Sequence, residues 1–294
     1  MDMKKKVIKV IILLIVAVAA FIAVFPVFFT LINSFMSGQE ILSRYTKDVA
    51  DSNPIGFVAN GLHYVSFGLF PEKLTLEQYH RLLTQGPEYF RMFWNSILII
   101  APILLGQCLI APLAAYAFEG MHFRGKEAIF FTYLIVMLMP TQILLVPNFI
   151  VAGWLGIQNS YLAIILPAMF HPLGVFLVRQ QLKSFPKECS EAARIDGAGE
   201  WSVYTKIIRP NLNSVVAAFF VLLFADNWNI IDQAVIFINR TYGQPLSVYL
   251  GNVVTENPGI FFAVSVLYMI PALLVFAFGQ DYLAQGIGLS SLKS

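Results

Sequence analysis

Charge is what this sequence has least of. Only 12% of its 294 residues are Asp, Glu, Lys or Arg, while 58% are hydrophobic. A soluble globular domain carries about 25% charged and about 45–50% apolar residues, so that class is excluded. The formal net charge is +2, far too little for a nucleic-acid surface. There are two cysteines, Cys108 inside an apolar run and Cys189 in a polar one, and no structural disulfide is expected between them. The four histidines, at 63, 80, 122 and 171, lack metal-ligand spacing. No internal repeat is present. A complete nucleotide motif is missing too. Gly120 to Lys126 matches the start of a phosphate-binding P-loop, but Glu127 stands where a Ser or Thr hydroxyl must reach magnesium. A tight turn is the expectation there. The chain is expected to hold no cofactor or metal, so that any ATP and Mg must sit on partner subunits.

Long apolar runs are what the sequence has instead. A helix crosses a bilayer with about 20 mainly apolar residues. Six stretches qualify, at roughly 7–35, 93–118, 128–152, 161–178, 215–238 and 260–279. Hydrocarbon cannot satisfy the edge of an open sheet, so the expected fold is all-α, a single membrane domain over 1–294 with six transmembrane helices. Lys4, Lys5 and Lys6 before an apolar run resemble a signal peptide, but the run continues to Ile32, which favours a retained span. Lys and Arg concentrate in the alternate loops: at 4–9, at Arg124 and Lys126, and from Arg179 to Arg209. The short loop 153–160 has none, and Arg240 is the sole cation of the next one. The positive-inside rule therefore puts both termini in the cytoplasm, the 36–92 loop outside, and a large 184–210 loop inside, between spans four and five.

Within that loop, residues 191–201 read EAARIDGAGEW. Ser184 is expected to cap a helix that opens at Phe185-Pro186 and stops at Gly197. A second helix, Glu200 to Ile208, is expected to carry Trp201, Tyr204 and Ile208 on one side, with Pro210 separating it from the fifth span. Ala192 and Ala193 allow close approach, and Glu191 and Arg194 put charge at a rim. Two readings stay open from amphipathicity alone: a docking knob for a soluble partner, or a helix pair lying on lipid headgroups.

The run Pro186 to Trp201, followed by Tyr204, Ile207 and Pro210, resembles the EAA loop of ABC-importer permeases, most closely the sugar-importer, maltose-type class. Weaker similarity extends over most of the chain: Thr75 to Tyr79, Phe93 to Ser96, Ala114 to Phe118 with Phe123 to Gly125, Trp228-Asn229, and Gln285-Gly286 with Lys293. The resemblance implies a bacterial cell-membrane permease subunit for carbohydrate, working by alternating access. It also implies a second homologous permease subunit, two ATP-binding subunits and an extracellular solute-binding protein as partners. Glu191, Ala192, Ala193, Asp196 and Gly197 would then couple to the ATP-binding subunits. The sequence departs from the pattern at Tyr204, where Phe is usual, and at Arg209, where an apolar residue usually precedes the proline.

Polar groups within spans are costly, so they mark candidate routes. In the fifth span these are Asp226, Asn227, Trp228, Asn229 and Gln233. On one continuous helix Asp226, Asn229 and Gln233 share a face, with an indole nearby to stack on a sugar ring. Pairing with a neighbouring subunit is the competing explanation. Gln107, Gln142 and Tyr268 are secondary lining candidates. A membrane enzyme using Asp226 and Asp232 is disfavoured, because residues six apart point about 120° away from each other on a helix. A stand-alone secondary transporter is disfavoured by the missing repeat. A permease for a non-sugar solute is the remaining alternative.

Overall fold

Lipid offers no partner to a bare backbone N–H or C=O, so apolar runs of this length become helices. The computed structural model describes residues 2–46, 68, 70–85 and 87–291, and every regular element among them is helical. Among the described residues four helices are long and apolar enough to cross a membrane: Val7–Asn33, Pro87–Gly120, Leu162–Lys183 and Pro258–Ala284. Two bent pairs also qualify, Lys126–Met137 with Thr141–Trp154 (107°) and Glu200–Asn211 with Asn213–Trp228 (69°), making up to six spans if each pair is one. The protein is a multi-pass membrane protein. Residues 47–67, 69 and 86 of the expected 36–92 loop, and Lys293, lie outside the described residues.

The chain divides into two compact units. The first comprises Met1–Tyr89 with Leu250–Met269. Its Asp2–Asn33 helix exposes apolar side chains all round, from Val7 to Phe28, as a helix bathed in lipid does. Its end is knitted by Gln78, which is fully buried. The Gln78 amide donates to Asn33 O (2.9 Å) and Met36 O (2.8 Å), and its Oε1 accepts from the Ala263 N–H (3.1 Å). Three segments distant in sequence thereby share one side chain, which satisfies backbone groups that lipid could not.

The second unit comprises Phe90–Tyr249 with Ile270–Ser294. Close helix approach is set by small residues: a Cβ on Gly174 would lie 3.0 Å from the Ala111 Cβ. Phe219, Val175 and Val178 are buried there. An adjoining cluster joins Ile99, Ile103, Ala163, Ile164, Ala234 and Phe237.

Three helix breaks in this unit interrupt the expected continuous helices. The 128–152 stretch is two helices, because Pro140 is extended (ψ 135°) and Met139 precedes a proline. His171 breaks the next stretch with extended backbone (ψ 125°), and its Nδ1 accepts from the Leu173 N–H at 3.3 Å ahead of Pro172. The fifth stretch, expected to run through 238, ends its helix at Trp228, and a separate helix covers Asp232–Phe237.

Candidate functional site

The segment at 184–210 begins differently from its expected capping. Ser184 closes the preceding helix, donating Oγ to Gln181 O (2.8 Å), and Pro186 is the N-cap of Lys187–Ile195. A proline suits that entry because its missing N–H is one the first turn leaves unpaired. The other end is a Schellman closure. Ala198 N–H donates to Ala193 O (2.9 Å) and Gly197 N–H to Arg194 O (3.0 Å), with Gly197 at φ +85°. A Cβ at Gly197 would meet nothing within 4 Å, so conformation and not space requires glycine.

Across this bend Arg194 grips Glu200 at two points, Nε–Oε1 2.8 Å and Nη2–Oε2 3.2 Å. The Tyr116 hydroxyl donates to Glu200 Oε2, and Arg194 Nη2 reaches Gly120 O at 3.3 Å. The Arg194 hydrogen bond, then that of Tyr116, holds the Glu200 carboxyl below its usual range. An exposed pair of this kind contributes about 0.2–1 kcal/mol, so its main effect is to fix geometry. It ties both short helices to the end of Pro87–Gly120. Spacing alone marked Arg194 only as a rim charge; Tyr116 was not singled out.

The second short helix is also corrected. It is α-helical over Glu200–Val203, widens into a π turn over Tyr204–Ile208, and continues as Arg209–Asn211. Pro210 has no N–H to donate to the Lys206 carbonyl and its ring crowds that oxygen, which favours the widened turn. The sharp turn comes at Leu212 and not at Pro210. Tyr204 and Ile208 are buried, whereas Trp201 is 69% exposed and leans on Tyr204 with ring centroids 5.7 Å apart. Ile195 is 86% exposed. Glu191, Ala192, Asp196 and Gly197 are exposed and Ala193 is half-buried. Glu191 and Arg194 also line a cleft of about 220 Å³, with Glu119, His122, Lys126 and Lys187.

A second charged cluster escaped the reading of the sequence. Arg179, counted there as a loop cation, is buried. It pairs with Glu119 (3.2 Å) and Glu127 (2.8 Å), and its guanidinium carbon lies 3.9 Å from the Phe130 ring centre. The P-loop-like turn thus uses Glu127 as a structural ion-pair partner. Two acids flanking the turn, at 119 and 127, were the available signal.

The polar fifth-span group is rearranged by the break at Asn229. Asp226, Asn229 and Gln233 do not share one continuous helical face, since the helix stops at Trp228. Trp228 is buried, stacked on Phe224 (5.4 Å) and edge-on to Phe93 (6.2 Å), so its indole packs the core. Asn227 is buried as well and donates to Leu223 O (2.6 Å). Asp226 and Asn229 are exposed, and Gln233 is half-buried. Gln142 donates to Asp232 at 3.4 Å. The breaks at 138–140, 171 and 229–231 thus lie beside polar groups, Asp226, Asn229, Asp232, Gln142 and His171, of which Gln142 and Asp232 are in contact. Gln107 is buried, with its amide on Ala168 O (2.7 Å), a helix-to-helix tie. Tyr268 is buried in the other unit. Among the described residues no group of three or more His, Cys, Asp or Glu has a metal-holding arrangement.

Residues 107–288 match the family described as binding-protein-dependent transport system inner membrane component. The chain belongs to that family, as a permease subunit of an ABC importer. It is similar to the arabinooligosaccharides transport system permease protein AraQ of Halalkalibacterium halodurans, 29% identical over 94% of each chain. It is also similar to the lactose transport system permease protein LacG of Rhizobium radiobacter, 31% identical over 69% of this chain and 75% of that one. The crystal structure of a bacterial ABC transporter involved in the import of the acidic polysaccharide alginate shares the fold. Its TM-score is 0.75 at 19% identity, covering 95% of this chain and 97% of that one.

Proposed function

We propose that this permease moves a carbohydrate inward by alternating access, as one of two related membrane subunits. Two ATP-binding subunits would drive it, and an extracellular solute-binding protein would deliver the sugar. Support for a sugar comes from relatives named for arabinooligosaccharides and lactose. With the four long helices, the Lys126–Met137 and Thr141–Trp154 pair is taken as one span and Asn213–Trp228 as another, giving six, so that the Glu200–Asn211 arm, both termini, 119–127 and 179–214 are cytoplasmic and 36–92 is external. The distribution of Lys and Arg supports this orientation.

Coupling is assigned to Lys187–Ile195 and the Gly197 bend, with Glu191, Ala192, Ala193, Asp196 and Gly197 as the docking residues. The observation that carries this is the exposure of Ile195 and Trp201 on either side of a hydrogen-bonded, glycine-fixed bend. Large apolar side chains presented on a rigid frame suit a cleft on a partner. Because Arg194 and Glu200 bind Tyr116 and Gly120, a push on the knob would reach the Pro87–Gly120 helix directly. The substrate route is assigned to Asp226 and Asn229, joined by Asp232, Gln142 and Gln233. Carboxylates and amides at helix breaks can exchange hydrogen bonds with sugar hydroxyls, and broken helices are where membrane transporters place such groups. Asn227 and Trp228 support that wall from behind.

The test is uptake of labelled oligosaccharide into proteoliposomes holding both permeases and the ATP-binding subunits. Uptake that requires the binding protein and ATP supports the reading. ATP-dependent uptake of a non-sugar solute, with none of any sugar, would overturn the carbohydrate assignment.

A further inference from the structure

We propose that the second unit holds an anionic phospholipid, with one acyl chain in an apolar groove and the phosphate on Arg209. The groove is about 430 Å³ and lies between the Asn213–Trp228 helix and the last helix. Val216, Phe220, Val221, Leu274 and Phe278 supply an apolar wall. Its size falls within the roughly 300–1,000 Å³ of pockets that enclose a ligand. Nearly all its lining is hydrocarbon, which suits an acyl chain and not a sugar.

One end of the groove differs in character. Asn213 lines it, and Arg209 Nη1 donates to Asn213 Oδ1 at 2.6 Å. The guanidinium is therefore held at the groove, one turn before the apolar helix begins. Among the described residues no carboxylate pairs with Arg209. The clasp at the Gly197 bend makes no use of this cation. An apolar groove ending at an amide and a cation that no described carboxylate neutralises matches an anionic amphiphile. Membrane-embedded cations at groove ends take lipid phosphates, each worth about 1 kcal/mol at an anionic surface.

The experiment uses the full-length chain copurified with its transport subunits, in nanodiscs of phosphatidylcholine with or without phosphatidylglycerol. Lipid retained after a detergent wash is read by native mass spectrometry. Phosphatidylglycerol should be retained in preference to phosphatidylcholine. Arg209→Gln should lower its retention about fivefold, the loss one cation supplies, while Arg209→Lys keeps it. Ala217→Leu, which narrows the groove, should lower retention of both lipids. Equal phosphatidylglycerol retention by the wild type and Arg209→Gln would overturn the site. So would cross-linking of Ala217→Cys to the second permease subunit, since the groove would then be a subunit seam.

Discussion

Arg194 and Glu200 face each other across the Gly197 bend as a two-point ion pair, with Tyr116 closing the clasp from the Pro87–Gly120 helix. The bend is thereby locked from both sides: backbone hydrogen bonds hold one helix end, and side chains hold the two helices together. That rigidity suits the coupling role proposed for this segment.

The clasp gives the first prediction. Glu200→Gln keeps the shape but loses the charge-assisted bonds, and Arg194→Ala loses both contacts. Each should leave the membrane subunits assembled while transport per ATP hydrolysed falls several-fold. Uptake and phosphate release measured on the same proteoliposomes check this. Unchanged stoichiometry in both variants would show that the clasp is not on the coupling route.

Gly197 should discriminate among substitutions by backbone and not by size. Its φ of +85° costs an ordinary L-residue about 1–2 kcal/mol, while Asn visits that region more readily. Gly197→Val should therefore impair transport more than Gly197→Asn, although open space surrounds the position. Gly197→Pro should be the most damaging, since it fixes φ near −65° and removes the N–H bonded to Arg194 O. Uptake rates ranked Asn, Val, Pro in falling order are the expected outcome.

The lengths of the apolar runs showed the helical membrane fold, and the EAARIDGAGEW stretch announced a short helix that ends in a glycine bend. Gly197 as the terminator was legible because only glycine ends a helix so readily with positive φ. What the runs hid were their breaks. Pro140 and Pro172 were visible, yet the apolar composition on both sides masked a bend, because hydropathy is blind to backbone direction. The stop at Trp228 has no proline or glycine to announce it. The Arg179 cluster was missed for another reason: the two acids at 119 and 127 were visible, but their partner lies more than 50 residues on.

The rearranged fifth span separates two kinds of effect. Asp226→Ala and Asn229→Ala, at exposed positions, should lower uptake at limiting substrate with normal expression and assembly. Trp228→Ala should instead lose about 3–5 kcal/mol of packing and reduce the amount of folded protein. Thermal unfolding beside uptake separates the two. Normal uptake by both polar variants would remove that face from the route.

Orientation can be read by labelling single cysteines placed in a cysteine-free chain. A membrane-impermeant thiol reagent added to intact cells should modify Asn60→Cys and leave Thr205→Cys untouched until the membrane is opened. Labelling of Thr205→Cys in intact cells would place the coupling segment outside.

The central claim is that the 191–197 helix end docks on an ATP-binding subunit, and Glu191→Lys tests it most directly. Glu191 is exposed and lies outside the Arg194–Glu200 clasp, so the reversal leaves the fold alone. A reversed charge in a desolvated contact costs several kcal/mol, enough to break a complex. A helix pair lying on anionic headgroups would tolerate the added lysine or bind more firmly. The measurement is the amount of ATP-binding subunit that copurifies with the two permeases. The account predicts loss of that subunit with the membrane subunits still paired, and full copurification with normal transport would contradict it.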